Sequence, residues 1–340
     1  MRTLLLLSAV SLFIILPAPT TADVITVDGG GGGDYLTIQE AVDAAAWSGD
    51  TVLVYPGTYT DTHDCWIYDY PVNVCIYQSL TLRSLSGPDS TVIGGGSHAA
   101  FGVLAGAGGP VVVEGFTVTG GSYGGVAAIC VTNGEVRGNA CAGFGAGIIN
   151  DSWWYLSDAS ERSEARDTAI VIADNIVEGD ETGIHVRSWS GSDVLVSGNN
   201  VSGSQFAGID VYGIGDVSLV GNEVSGNTRG IRIRNPSYTA GAHFFVELLG
   251  NRVVDNTNVN IKITMYEVEP GSECITTIGG SPEGANDIYG APVNLYAAAH
   301  NVDLYLDATY NFWGSVACST FVPLFDIQED VPDSAFIFEP

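Results

Sequence analysis

Four short segments recur along this chain, and their recurrence constrains its fold more than any other feature. They are Asp174-Asn175-Ile176-Val177, Gly198-Asn199-Asn200-Val201, Gly221-Asn222-Glu223-Val224 and Gly250-Asn251-Arg252-Val253, with Gly138-Asn139-Ala140-Cys141 as a looser fifth copy. Eight or nine residues after each Asn comes a second signal, at Gly147, Gly183, Gly208, Gly230 and Asn260, in the form Gly-Ile-x-Val or close to it. An earlier turn, with Gly115 and Gly125 at the two positions, keeps the spacing but has Phe116 in place of Asn. Self-similarity on this length scale means stacked supersecondary units. Within the second signal, apolar Ile184 and Val186 alternate with polar His185 and Arg187, the period of a strand with one buried face. Helical periodicity is absent. The repeats therefore predict a coil of short strands joined by tight turns, an all-β solenoid. Stacking places equivalent Asn side chains about 4.8 Å apart, close enough for their amides to bond one another and the turn backbone. The recurring Asn is thus read as structural.

A coil of this kind has open ends that need covers. Residues 34–45, rich in Ala and Val, form the one amphipathic helical stretch, with Ile38, Val42 and Ala45 on one side. Gly49-Asp50 ends it, Thr51 to Tyr55 reads as the first strand, and Pro56-Gly57 turns the chain. An N-terminal capping α-helix is expected at about 34–47. At the far end Leu304 to Thr309 reads as the last strand, and an irregular tail (about 311–340) with Phe321, Leu324, Phe325, Phe336 and Phe338 is expected to seal the coil.

The first residues predict export. Arg2, an apolar run from Leu4 to Leu16, Pro17 and the small residues Thr20-Thr21-Ala22 have the three parts of a signal peptide, 1–22. The run is short for a bilayer span, which takes roughly 20 residues. Residues 23–340 are then a single domain, free of the membrane once the leader is removed. The chain has 39 acidic residues against 11 basic ones, a formal net charge of -28, and Lys262 is its one lysine. Such a surface repels nucleic-acid phosphates and anionic lipid, so neither is expected as a partner. Six cysteines in an oxidising compartment favour disulfides. Cys65 with Cys75, Cys130 with Cys141 and Cys274 with Cys318 are the natural pairs, although spacing alone does not prove connectivity. Clustered Cys/His spacing is missing, so no metal site is expected, and the shortage of clustered His, Met or free Cys speaks against metal delivery. No cofactor is required; calcium in the turns is left open, as is the oligomeric state.

The stretch GDYLTIQEAVDAA with GDTVLVYPGTY (residues 33–45 and 49–59), the GN and GI repeats, and DATYNFWG (residues 307–314) resemble the right-handed parallel β-helix proteins of the pectin-lyase-like superfamily. The resemblance covers most of the chain after residue 22 and implies the fold. It is not specific for function, because the superfamily holds polysaccharide lyases, hydrolases, esterases, epimerases, adhesins and members without an assigned activity. It also implies that an active groove would run over the sheet made by the Gly-Ile-x-Val strands. Outward positions of those strands form two columns: Ile149, His185, Asp210, Arg232, Lys262, and Asp151, Arg187, Tyr212, Arg234, Thr264. Like charges at Arg232 and Lys262 on neighbouring strands are unfavourable unless something anionic offsets them.

Those columns supply the candidate site. Asp210, Arg232, Arg234 and His185 are the candidate catalytic residues, with Asp210 and His185 as acid or base and an Arg or Lys as the base of a β-elimination. Arg187, Tyr212, Lys262, Asp151, Trp153, Trp154 and Trp189 are the candidate substrate-binding residues, the tryptophans because rigid rings stack on the apolar faces of sugars. The competing reading makes the columns a ladder of exposed ion pairs, Asp151 with Arg187 and Asp210 with Arg232, each worth little. Signatures of the polygalacturonases and pectin methylesterases are missing, and Arg234-Asn235-Pro236 matches the RxP element of pectate lyases only in part. Three functions stay open: contact with an extracellular polysaccharide through the outward face of this sheet, a polysaccharide lyase or glycoside hydrolase acting on a uronate-containing glycan, and a non-catalytic structural or adhesive rod.

Overall fold

The structure, a computed structural model, describes residues 22–46, 49–65, 68–94, 99–106, 109–120, 126–150, 169–188, 193–213, 215–235, 243–266, 273–299, 303–314, 325–329 and 335–337. Each repeat makes one turn of a right-handed parallel β-helix. One turn reads Asp193–Ser197, Asn200–Ser202 and Ala207–Gly213, and each of these strands joins a different sheet. Among the described residues the three sheets hold 12, 9 and 11 strands. Named strands pair in parallel except for the hairpin His63–Cys65 with Tyr68–Ile76. Alternation does what it predicts: Val194, Val196, Val201, Ile209 and Val211 all point into one dry core.

The two halves of the motif have separate physical causes. In the first half, the residue before the Asn is left-handed at every rung but Asn286, which follows Ala285 at φ -55°; φ is 63° at Gly138, 64° at Gly198 and 63° at Gly221 and Gly250. Glycine adopts that conformation without a Cβ penalty, while Asp174 (56°) and Tyr310 (59°) take it as the rarer exceptions. The turn aims each Asn side chain inward, where the rungs run Asn139, Asn175, Asn199, Asn222, Asn251, Asn286 and Asn311. Each Oδ1 accepts the backbone N–H of the preceding rung, at 3.0 Å from Asn199 to Asn222. The ladder thus extends two rungs past the five copies seen in sequence. It begins at Phe116, whose N–H donates to Asn139 Oδ1, as the spacing predicts. In the second half, the Gly packs too closely for any side chain: a Cβ at Gly183 would collide with Val201 Cγ1 and lie 2.5 Å from Gly208 O.

The helix spans Ile38–Ala44, capped by Thr37 and Glu40 in a reciprocal box. It buries Ile38, Ala41 and Val42, and Gln39 bonds both the N–H and the C=O of Cys75. Three expectations need correction. A strand, Val24–Val27, precedes the helix and pairs with Asp50–Val54, so the coil starts earlier than the sequence suggests. Its run is too short to carry a period. After Asp303–Asp307, Phe325–Glu329 and Ala335–Ile337 add further strands to two sheets, where an irregular tail is expected. Cys65 and Cys75 form a disulfide as expected, but Cys130 and Cys141 do not bond each other. Cys141 points into the central core, whereas Cys130 lies in a separate apolar cluster on the outer side of the 11-stranded sheet. Cys274 is a buried thiol. Its expected partner Cys318, residues 1–21 of the leader expected at 1–22, and Phe321, Leu324 and Phe338 lie outside the described residues.

Candidate functional site

The 11-stranded sheet contains the Gly-Ile-x-Val strands, and the outward columns stand in the register that the repeats predict. His185 pairs with Asp210, Asp210 with Arg232, and Arg232 with Lys262. Beside them Arg187 pairs with Tyr212, Tyr212 with Arg234, and Arg234 with Thr264. Ile149 precedes His185 in the first column. Asp151, Trp153, Trp154 and Trp189 lie outside the described residues.

Asp210 is the centre of this arrangement. Its side chain is only 2 % exposed, and one oxygen lies 2.9 Å from Arg234 Nη2. His185 Nδ1 lies 3.3 Å from the same oxygen, and Arg232 Nη1 is 3.7 Å from the other. Burial pushes the carboxyl pKa up, but the hydrogen bonds from His185 and Arg234, with the charge of Arg234, outweigh it and hold the group well below the usual carboxylate range. A general acid needs a proton at working pH. Asp210 has none to give, so its geometry suits an anchor that orients cations around it.

His185 is held at both ends. Arg187 Nε donates to its Nε2 at 3.0 Å, which leaves Nδ1 to carry the proton toward Asp210. The lone pair on Nε2 is therefore occupied by Arg187, and His185 can accept a substrate proton there only after that bond breaks. The cations also stack on aromatic rings. Arg187 and Arg234 lie 5.8 and 4.4 Å from the Tyr212 centroid, and Lys262 lies 4.8 Å from that of Tyr296. Burial first, then the neighbouring arginines, lowers the pKa of Lys262; Arg232 is lowered chiefly by burial.

Three contributors escaped the sequence, Tyr296 against Lys262 and the pair Phe206 and Arg229. Arg229 and Arg232 both lie over Phe206, at 4.8 and 4.9 Å from its centroid, and Arg229 Nη1 donates to Phe206 O at 3.2 Å. Both Phe206 and Arg229 sit at or just before a strand's first residue, where alternation assigns no face. Thr264, in the second column, is buried although its register is that of the outward column.

Comparison with known proteins gives a distant setting. Residues 108–269, a little under half the chain, match a family described as periplasmic copper-binding protein (NosD). No curated protein matches the chain. Among solved structures it is similar to the A-module of the mannuronan C-5 epimerase AlgE6 of Azotobacter vinelandii, at 14% identity, covering 89% of this chain and 94% of that one, with a TM-score of 0.45. It is also similar to the pectin methylesterase from carrot, at 13% identity over 89% of this chain and 87% of that one, with a TM-score of 0.39. Likenesses this remote assign no activity.

The copper in that family's description can be tested against the side chains. Among the described residues no three His, Cys, Asp or Glu groups gather as a metal-holding set. Burial pushes the Cys274 thiol up to about 12 and raises that of Cys141 as well, and both are kept from the thiolate form that binds copper. The described donors do not fit the ion. Nor is any described helix long and apolar enough to cross a membrane.

Proposed function

We propose that the outward face of the 11-stranded sheet of this right-handed parallel β-helix holds an anionic polysaccharide. One observation carries this reading. Five of the chain's 11 basic residues, Arg187, Arg229, Arg232, Arg234 and Lys262, share this face, where Asp210 pairs with both Arg232 and Arg234. Elsewhere the described arginines with ion pairs have carboxylates to themselves, Arg137 with Glu114 and Glu135, and Arg252 with Glu223. Cations gathered on one face of a chain of formal charge -28 favour an external anion there. Planar guanidinium forks suit the carboxylates of a uronate, and Tyr212 offers a ring for a sugar face. Export through the leader at 1–22, as one coil over 23–340, belongs to the same reading.

Isothermal titration with polygalacturonate and alginate oligosaccharides, against a neutral glucan of equal length, tests it. Binding should favour the uronates, and Arg234→Ala should weaken it about 10-fold or more, since a hydrogen bond to a charged group is worth about 1.5–3 kcal/mol. Equal binding of the neutral glucan, or no effect of Arg232→Ala and Arg234→Ala, would sink the idea.

The lowered pKa values of Arg232 and Lys262 favour a second reading, in which one of them takes the proton alpha to a uronate carboxylate in β-elimination. That reaction leaves an unsaturated uronate, whose absorbance would rise during the same titration. A flat absorbance trace with tight binding would leave the binding face without the chemistry.

A further inference from the structure

We propose that this face carries a second anion site, made by Arg229, Arg232 and Lys262, that takes the tetrahedral oxyanion of a sulfate or phosphate monoester. The inference rests on the polysaccharide reading and adds the kind of substituent the glycan bears.

Among the described residues Arg229 and Lys262 have no counter-charge, and Arg232 has only a shared one. Arg232 approaches Asp210 at 3.7 Å, but that carboxylate is already engaged by Arg234 at 2.9 Å and by His185. Among the described residues neither Arg229 nor Lys262 has a carboxylate within ion-pair distance. Yet they are brought together by the fold. Arg232 and Lys262 are direct partners on adjacent strands, and Arg229 begins the strand that carries Arg232. Like charges so placed repel, and burial of Arg232 and Lys262 weakens the solvent's ability to screen them.

They are also held in place. Phe206 lies under both guanidinium groups, the backbone carbonyl of Phe206 fixes Arg229, and Tyr296 lies against the Lys262 ammonium. Side chains ordered in this way lose little entropy when an anion arrives. The arrangement differs from that around Asp210, where one carboxylate is held by Arg234 through Nε and Nη2. A carboxylate presents two coplanar oxygens, and a single guanidinium fork satisfies them. Three donors from three side chains on two strands offer more than a planar group can use. A sulfate or phosphate monoester has three terminal oxygens on a pyramid, one for each donor.

Titration calorimetry on the full protein separates this site from the first. The probes are a chondroitin sulfate hexasaccharide, the same hexasaccharide chemically desulfated, and inorganic sulfate and phosphate as competitors. We expect the sulfated sugar to bind about tenfold or more tighter than the desulfated one, the scale of one lost charge-assisted bond. Lys262→Gln and Arg229→Gln should each collapse that ratio, and Lys262→Arg, which keeps the charge, should preserve it with an unchanged melting profile. Whichever inorganic ion displaces the sulfated sugar at lower concentration identifies the preferred ester. Equal binding of the two hexasaccharides would overturn this site while leaving the uronate reading intact. A sulfate preference that survives both glutamine variants would overturn it as well, because the ester would then sit elsewhere. Binding of neither sugar would overturn both readings together.

Discussion

Asp180 occupies a position that later coils fill with neutral side chains, Ser204, Asn227 and Asn256. It is buried, its Oδ1 accepts the Phe144 N–H at 2.7 Å, and its Oδ2 has no partner among the described residues. Burial raises its pKa to about 6, against the opposing backbone hydrogen bonds from Phe144 and Gly143. The folded protein therefore holds this proton more tightly than the unfolded chain does. Stability is greatest below the unfolded value near 3.8, falls as pH rises toward about 6, and stays reduced above it. The shift corresponds to a cost on the order of 2–3 kcal/mol at neutral pH. Asp180→Asn should remove that cost, because an amide there can donate as Asn227 Nδ2 does to Val201 O. Urea unfolding should show the variant more stable than the parent at pH 7.5 and nearly equal to it at pH 4. Equal stability at both values would mean that Oδ2 finds a partner after all.

At the scale of the element, the corner between two strands has a larger energetic stake than the strands of three residues that follow it. Asn199 shows why: its Nδ2 donates to Ile172 O, Ser197 O and Asn222 Oδ1, and its Oδ1 accepts from both nitrogens of Asn175. Asn199→Ala strands a buried N–H of Asn175 and the carbonyl of Ile172, each a penalty of roughly 1–3 kcal/mol. A loss of about 3 kcal/mol in denaturant unfolding is expected, with the same change at the ladder's last rung, Asn311, costing less. A cost below about 0.5 kcal/mol at Asn199 would show that water replaces the rung. The helix is a second such element. Its Gln39 reaches Cys75, so the cap, the hairpin and the disulfide are tied at one point, next to the apolar outer cluster of Cys75, Phe101, Leu104 and Cys130. The outward face of one sheet is thus apolar along its early strands and cationic from His185 onward.

The whole molecule sets a conflict between its far field and its near field. A formal charge of -28 repels a polyanion at a distance, while on the proposed reading the face around Asp210 attracts it on contact. Salt screens the distant term first, because the Debye length falls from about 30 Å at 0.01 M to about 8 Å at 0.15 M. The association rate of a uronate oligosaccharide should therefore rise between those two salt concentrations, and the equilibrium affinity should fall at about 1 M. Stopped-flow and titration measurements across that range check both arms. A rate that only decreases with salt, as for a basic protein meeting a polyanion, would place the attraction outside this face.

The repeats by themselves determined the coil, the Asn ladder and the register of His185, Asp210, Arg232 and Lys262, because a two-residue side-chain period and a fixed turn leave one way to stack equivalent residues. The short ends were not legible in that way: Val24–Val27 and the strands beyond Asp307 carry too few residues to show a period, and they form because a neighbouring strand edge is present to pair with them. Cys130 and Cys141 look like a pair along the chain, but the strand Gly134–Arg137 and two corners separate them onto different sheets, one facing the core and the other the outer side. Tertiary structure also decided what Asp210 is. Its letter in the sequence is that of any acid, and only the stacking of three successive coils surrounds it with His185, Arg232 and Arg234, keeping it ionised while removing it from water.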